Sequence, residues 1–576
     1  MNEITFTKLK KNCKVDMSGA RECRVAILGD CATQHLATAI KGYGVEAGIR
    51  YEIFDADYDQ IELQLIDEQS EVYQFSSQFI LIYMCTEKLY HAFVKAENRA
   101  GFAEEIYNKI KMYWELVQTH SKAKLVQFTF CEMDDRVFGN FACKVQESFL
   151  FQVRKLNLLL MEGCQANKNV FLLDLNSIQS QYGRDQIHDD KLYYIAKMPL
   201  STTVLPEVAK QFTDVVQSVL GIIRKCVITD LDNTLWGGVI GDDGMDGIQI
   251  GELGLGHAFE EMQMWLKELK RRGILLAVCS KNNEETAKEP FEKHADMILR
   301  MDDFSMFVAN WEDKASNIRY IQETLNIGMD SIVFLDDNPF ERHQVRSSIA
   351  EITVPELPED PAMYLSYLKS LNLFETASWA EDDKDRTRQY QEESKRTASM
   401  QRYQNYDEYL QSLGMKAEVR PFDQYHIPRI AQLTQRSNQF NLRTVRCTET
   451  EIEEMVKDDK FITLYFTLKD QFGNHGLISI AILEKTDDDT LFMYNWLMSC
   501  RVLKRGMEEF IINQVVETAA ANGYKYVVGE YLPTPKNSMV KEIYSKLGFE
   551  KVQDNVFKAD VNTFVKNKTF IKIEEE

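Results

Sequence analysis

The sequence contains no apolar run near the length of a membrane span, which takes about 20 consecutive apolar residues. Its opening, Met1-Asn2-Glu3-Ile4, has no basic block followed by an apolar one, so no signal peptide is expected. The 11 cysteines are odd in number, scattered, and form no CxxC pair. Motif spacing therefore excludes a zinc ribbon and a disulfide framework, and reduced thiols in a cytoplasmic protein without structural zinc are expected. Positive charge is also short: 67 Lys and Arg stand against 89 Asp and Glu, a net charge of −22. Such a chain is not a general binder of nucleic acid or anionic membranes, although a local basic site for phosphate stays open. There is no internal repeat and no low-complexity tract.

What the sequence does hold is ample core material. At 576 residues, 44% hydrophobic and 11% aromatic, it exceeds one domain, and three or four globular units are expected. The most informative stretch is Cys226-Val227-Ile228-Thr229-Asp230-Leu231-Asp232-Asn233-Thr234. Cys226 to Thr229 reads as a short buried strand. Asp230 and Asp232 follow it, and strand alternation points both carboxylates the same way. Two like charges so close call for a cation or a shared proton. The chemical reading is a nucleophilic Asp230, an acid/base Asp232 and a Mg²⁺ ion between them. The bland reading is an acidic turn.

The rest of the segment decides between them. A Gly-rich loop, Gly237 to Gly244, is followed by an amphipathic helix from Gly256 to Arg272. Ile274 to Cys279 is a second buried strand, ending at Ser280-Lys281-Asn282. Lys314 opens a helix that runs to about Leu325. Ser331 to Leu335 is a third strand, ending at Asp336-Asp337. Apolar strands separated by helices imply a parallel sheet, whose ligands sit beyond the strands' C-terminal ends. Every polar group just named lies at such an end or at the start of the next helix. Carboxylates can hold Mg²⁺, while a hydroxyl and an ammonium neutralise a transferring phosphoryl group.

This motif order resembles the haloacid dehalogenase (HAD) superfamily of phosphotransferases. The resemblance implies Asp230 as nucleophile, Asp232 as general acid/base, Ser280 and Lys314 as phosphate-binding residues, and Asp336 with Asp337 completing the metal site with Asp230 and Asp232. The longer match, Asp230 through Trp236-Gly237-Gly238-Val239-Ile240-Gly241, then Val278-Cys279-Ser280-Lys281-Asn282, then Ala309-Asn310-Trp311, resembles the FkbH-like family, of subfamily IIIC type. That resemblance implies action on 1,3-bisphosphoglycerate and loading of a glyceryl unit onto an acyl carrier protein. Cys279, next to Ser280, is then a candidate acyl-accepting thiol, the alternative being a buried strand cysteine. The short insert between the first two motifs leaves room for a helix rather than a cap domain, so an open site is expected.

The fold class expected for the whole chain is multidomain α/β, with the HAD-like centre at residues 222–360. Residues 1–221 alternate strands (Arg24 to Cys31, Phe79 to Met84, Leu125 to Phe130, Val170 to Leu175) with helices such as Ala103 to Thr119. Gly29-Asp30-Cys31 and Asp185-Gln186-Ile187-His188 resemble the first and last blocks of SGNH hydrolases, with Cys31 where a Ser normally stands and Asn140 as a possible third element. The resemblance implies a degenerate relative, or a Cys-based acyl site. Residues 361–420 form a charged connector with a helical stretch from Glu381 through Arg402. Residues 421–576 resemble GNAT-type acyltransferases: strands at Phe461 to Leu468, Gly476 to Leu483 and Leu491 to Leu497, a helix from about Gly506 to Asn522, and a strand at Tyr526 to Tyr531. Arg501, Lys504, Arg505 and Gly506 resemble the family's pyrophosphate-binding loop. Lys504 departs from its usual Gly, which speaks against tight coenzyme A binding; an acyl carrier protein carries the same phosphopantetheine arm, so the arm or the carrier is the alternative ligand. With Arg436, Arg443 and Arg446 these residues would form a local basic surface.

Two other functions stand beside carrier loading. One is a plain phosphatase on a small metabolite or sugar phosphate. The other is a non-enzymatic assembly scaffold.

Overall fold

The structure, a computed structural model, describes residues 4–133, 135–379, 386–392 and 405–574. Most of the charged stretch from Glu381 to Arg402 lies outside the described residues, apart from the helical segment 386–392. The chain divides into two compact units, Met1–Gln217 and Ser218–Glu576. Among the described residues no helix is long and apolar enough to cross a membrane.

The first unit is built on strands β1 (Arg21–Gly29), β2 (Ile49–Asp55), β3 (Phe79–Tyr83), β4 (Lys124–Phe128) and β5 (Val170–Leu173). All pair in parallel, in the order β2-β1-β3-β4-β5. The central β3, Phe-Ile-Leu-Ile-Tyr, is buried along its whole length, as a strand covered on both faces must be. Edge strand β2 escapes a reading by apolar runs, because Arg50 and Glu52 interrupt it and pair with charges on the neighbouring strand or each other. Helices Phe102–His120 and Phe149–Ala166 bury Ile110, Trp114, Val153 and Leu156 in one cluster with sheet residues Ile80 and Leu125.

The second unit opens with β6 (Cys226–Thr229), β7 (Leu275–Ser280), β8 (Met306–Ala309) and β9 (Ile332–Leu335), parallel and ordered β8-β7-β6-β9. Strand β8 is the addition to the expected three. It is only four residues long and half of it is partly exposed, so it has little hydrophobic signature. Alternation along the strands builds two cores. Val227, Leu276, Val278 and Leu335 face helix Leu255–Arg271, through Phe259, Met262 and Leu266. Ile228, Ala277, Cys279 and Phe334 face helices Lys314–Leu325 and Pro339–Ser348, through Ile318, Ile321 and Val345. Each fully buried Leu, Ile or Phe stabilises by about 1.5–3 kcal/mol. Between β6 and β7 the chain forms only a helical turn, Ile240–Asp243, and the helix Leu255–Arg271.

The rest of this unit carries a mostly antiparallel sheet. Short strands β10 (Lys416–Ala417) and β11 (Val419–Arg420) precede the long hairpin of β12 (Phe461–Asp470) and β13 (Gly473–Lys485). Then come β14 (Thr490–Met498), β15 (Tyr526–Glu530), β16 (Glu550–Gln553), β17 (Val556–Asp560) and β18 (Lys572–Ile573). The hairpin turn is held by Asp470, whose Oδ1 accepts from the Phe472 and Gly473 amides at 2.8 and 3.1 Å. Strands β14 and β15 are parallel and pair only from Thr490 with Tyr526 to Met493 with Gly529. Beyond that they part, and the chain's own segment at Phe440 to Leu442 fills the gap. The Leu442 amide donates to the Trp496 carbonyl at 3.2 Å, and the Leu532 amide donates to the Leu442 carbonyl at 2.8 Å. Helix Met507–Ala521 is buried over much of its surface, Glu508 and Asn513 included.

Candidate active site

Three carboxylates and one ammonium meet beyond the C-terminal ends of β6 and β9. Asp230 follows β6, and its amide donates to the Leu335 carbonyl at 2.8 Å, which locks the two strand ends together. Lys314 is the first residue of its helix, whose N-cap Asp313 accepts from the Ser316 amide at 2.9 Å. That cap aims the lysine back at the sheet. Its Nζ lies 2.7 Å from Asp230 Oδ2 and 2.5 Å from Asp336 Oδ2, with all three groups buried. One oxygen each from Asp230, Asp336 and Asp337 lies within 4.8 Å of the others.

The charges do not balance within the protein. One ammonium faces three carboxylates. Burial works against the charge on Lys314, yet Asp230 and Asp336 outweigh it and hold the lysine above its ordinary pKa. Burial and the Asp230 charge push Asp336 up to about 7 despite the lysine, and the same two causes raise Asp337. Asp230 Oδ1 is buried and has no hydrogen-bond partner. An orphaned carboxylate oxygen in an all-oxygen cluster with excess negative charge fits a hard divalent cation.

Asp232 stands apart from this cluster. Its Oδ1 accepts from Trp236 Nε1 and from the Ile240 amide, both at 3.0 Å, and its Oδ2 accepts from Asn282 Nδ2 at 2.8 Å. The expectation that its side chain joins Asp230 in holding a metal is corrected by this geometry. The strand ends at Thr229, and Asn233 turns the backbone at a φ of 53°. Strict alternation therefore does not carry through to Asp232. Burial raises the Asp232 pKa, which suits a group that carries a proton. Gly238 allows the loop to close over it. Its φ is 91°, and a Cβ there would lie 2.7 Å from Asp243 Oδ2.

Ser280 is buried at the end of β7, and its carbonyl accepts from the Asn310 amide at 3.1 Å. Cys279 is corrected outright in its placing. It was expected at the site mouth, but alternation turns it away from Ser280 into the core among Ile228, Val308 and Ile318, its Sγ 3.8 Å from the Lys314 carbonyl. It is fully buried, and burial pushes its thiol well above the ordinary value. Three positioning residues escaped the sequence reading. Asn282 holds Asp232. The Thr234 hydroxyl accepts from the Asp337 amide at 3.1 Å. Arg342, buried, donates to the Asp336 and Asp337 carbonyls at 2.8 and 2.6 Å. Asn282 stood in the quoted motif and could have been found there; Arg342 left no signal, since it acts on main-chain atoms.

The C-terminal basic residues do not form a displayed patch. Arg501 and Arg505 are buried. Arg501 Nε donates to Ser499 Oγ at 3.2 Å, and its NH1 reaches Gln389. Arg505 contacts His475 at 3.1 Å and donates to the Arg501 carbonyl at 2.7 Å. Lys504 is exposed, with φ at 62°, and its amide donates to Glu508 Oε1 at 3.1 Å. The loop thus turns this amide to its own carboxylate. Gly506, at a φ of 77°, accepts from Thr569 Oγ1 at 3.0 Å. Arg443 pairs with Glu530 at 2.8 Å, Arg446 donates to the Thr434 carbonyl at 3.0 Å, and Arg436 donates to the Ser378 carbonyl at 2.9 Å. Internal partners, rather than solvent, receive these guanidinium groups.

In the first unit, Cys31 is buried and His188 is taken by Glu87 at 2.9 Å and Asp190 at 3.2 Å. Asp185 and Asn140 are exposed. The carboxylate paired with His188 is thus Glu87, early in the helix that follows β3, and not Asp185 of the Asp-x-x-His block.

Residues 24–217 match the model of the FkbH N-terminal domain. Among solved structures, the N-terminal part of a Bacteroides fragilis protein, containing a phosphatase domain and complexed with Mg, is 46% identical. It covers 65% of this chain and 100% of its own, with a TM-score of 0.62. The Escherichia coli ribosomal-protein-S18-alanine N-acetyltransferase is 13% identical and covers 26% of this chain and 98% of its own, with a TM-score of 0.21. An N-acetyltransferase of Staphylococcus aureus is 16% identical over 26% of this chain and 99% of its own, at 0.19. No curated protein matches the chain.

Proposed function

The chain belongs to the FkbH-like family of the haloacid dehalogenase superfamily, and from that premise we propose a Mg²⁺-dependent phosphotransferase that delivers the glyceryl unit of a phosphorylated three-carbon donor to an acyl carrier protein. The observation that carries the phosphoryl half is the Asp230–Lys314–Asp336 contact with Asp337 beside it. Asp230, Asp336 and Asp337 would hold Mg²⁺, which when bound neutralises phosphate charge. The carrier thiol takes the acyl group from the acyl phosphate and that phosphate leaves; the Asp230 carboxylate attacks phosphorus of the remaining phosphate ester, and its alcohol oxygen departs with the proton that Asp232 supplies. Asp232 Oδ2 has a single donor, Asn282, and keeps a lone pair for that proton. Asp232 then takes a proton from the water that releases phosphate. Ser280 and Lys314 would meet the phosphate oxygens.

The test mixes full-length protein, Mg²⁺, 1,3-bisphosphoglycerate and holo carrier. A mass gain on the carrier equal to a glyceryl unit is expected, and Asp230→Asn should abolish phosphate release. An unmodified carrier, with carrier and donor shown competent, would leave the phosphatase alone standing. The burial of Cys279 favours that second reading, a plain phosphatase on a small phosphorylated metabolite, because it removes the thiol nearest the site from the chemistry.

A further inference from the structure

A second cluster of ligand-type side chains lies in the N-terminal unit. From β1 the chain runs first to β2 on one side, and later to β3 on the other. In such a sheet, the crevice beyond the C-terminal ends of the strands at this reversal is where ligands bind. Asp30 and Cys31 directly follow β1, and Cys85 lies just past β3. One Asp30 oxygen and the two sulfurs lie within 4.8 Å of one another, and all three residues are buried. Asp30 Oδ1 accepts from the Cys85 amide at 2.8 Å.

The loops that bring these groups together are fixed. The Asp30 amide donates to the Tyr83 carbonyl at 3.2 Å, and the Ala32 amide to the Lys197 carbonyl at 2.9 Å. At Gly29 a Cβ would lie 2.6 Å from Thr33 Cγ2 and 2.8 Å from the Cys31 carbonyl oxygen, so only glycine lets the turn close this tightly. Unaided, the cluster resists ionisation. Burial, then Cys85 and Asp30, drive the Cys31 thiol far up, and burial pushes Asp30 up to about 7. A coordinated cation reverses that logic and deprotonates a thiol outright.

We propose that Asp30, Cys31 and Cys85 form a site for a divalent ion of the zinc class. Two sulfurs and one carboxylate oxygen are too soft a set for Mg²⁺ or Ca²⁺ and suit Zn²⁺. On binding, each thiol gives its proton to solvent. Two thiolates, one carboxylate and a divalent ion then sum to a single negative charge; Lys88, its Nζ 3.5 Å from the Asp30 carbonyl, lies beside it and is shared with Asp59. The same three residues line a cavity of about 460 Å³, with Lys88, His91 and Lys197 on its wall. The fourth coordination position opens toward this cavity, whose cations favour a water or a small anion there.

The test uses full-length protein, chelator-stripped, reduced with a non-thiol phosphine and held in excess Mg²⁺. Co²⁺ is titrated anaerobically. The all-oxygen cluster at Asp230 has no sulfur, so a sulfur-to-cobalt charge-transfer band in the near ultraviolet reports on the cysteines alone. The expected result is a band saturating at one equivalent, displaced by Zn²⁺, retained in Asp230→Asn and lost in Cys31→Ser and Cys85→Ser. X-ray absorption of the zinc-loaded wild type, which needs no variant, should show two sulfurs in the first shell. A sulfur-free shell, a band untouched in both variants, or no band at all would overturn the site.

Discussion

Lys314 Nζ lies 2.7 Å from Asp230 Oδ2, across 84 residues of chain, and both groups are buried. This ion pair joins the end of one strand to the start of a helix. It is also insufficient, because Asp336 and Asp337 bring the local charge to three negatives against one positive.

Replacing Lys314 leaves those carboxylates without their ammonium. Breaking a buried pair in this way costs about 3–5 kcal/mol. Lys314→Met should therefore unfold at a clearly lower temperature than wild type in chelator. Added Mg²⁺ should recover part of the loss, since a cation takes over some of the missing charge. Thermal scans with and without Mg²⁺ check this, and equal midpoints in chelator would refute it.

Asp230→Asn removes one negative charge from an overcharged cluster. It should hold or raise thermal stability in chelator while lowering phosphate release by about 10³-fold or more. A variant that loses stability and keeps turnover would contradict both halves.

The pH dependence follows from the same excess. Asp336, up to about 7 in the folded state, starts from an ordinary 3.8. A folded pKa above the unfolded one means stability that is present at low pH and lost as pH rises through about 7. Without metal, the midpoint should climb as pH falls from about 8 to about 5. Saturating Mg²⁺ should flatten that slope, because it favours the ionised carboxylates. Calorimetry in chelator and in Mg²⁺ at each pH would decide it.

Asn282 acts through Asp232, to which it donates at 2.8 Å. Removing a donor from a carboxylate disfavours its charged form and raises its pKa further. If Asp232 supplies a proton, the alkaline limb of kcat/KM should move to higher pH in Asn282→Ala, alongside a lower kcat. A profile of unchanged shape would show that Asn282 serves only packing.

Cys279 packs among Ile228, Val308 and Ile318, its Sγ 3.8 Å from the Lys314 carbonyl and closed off from solvent. Cys279→Ala should cost about 1 kcal/mol through the small void it leaves. Phosphate release should remain within about twofold of wild type, a change of only about 0.4 kcal/mol. A collapse of turnover, with the fold intact by circular dichroism, would restore a chemical role to this thiol.

Much of the central fold could be read in advance from particular residues. Cys226 to Thr229, Leu275 to Cys279 and Ile332 to Leu335 are short and apolar, and such runs, set between helical stretches, bury as parallel strands. Polar residues at their ends had to share one edge of the sheet. Strand β8 and strand β2 were illegible because brevity in one and charges in the other erased the apolar signature. Arg342 was illegible because nothing local marks a side chain that donates to carbonyls five and six residues back.

The sequence alone determined which residues end the strands, and so which chemical groups share an edge: period and burial act locally along the chain. Tertiary structure decided where each side chain points. It sent Asp232 to Asn282 and Trp236, turned Cys279 into the core, drew Arg501 and Arg505 inward, and set Cys31 beside Cys85. Those outcomes depend on partners distant in the chain, and on a backbone whose regular alternation stops where the strand does.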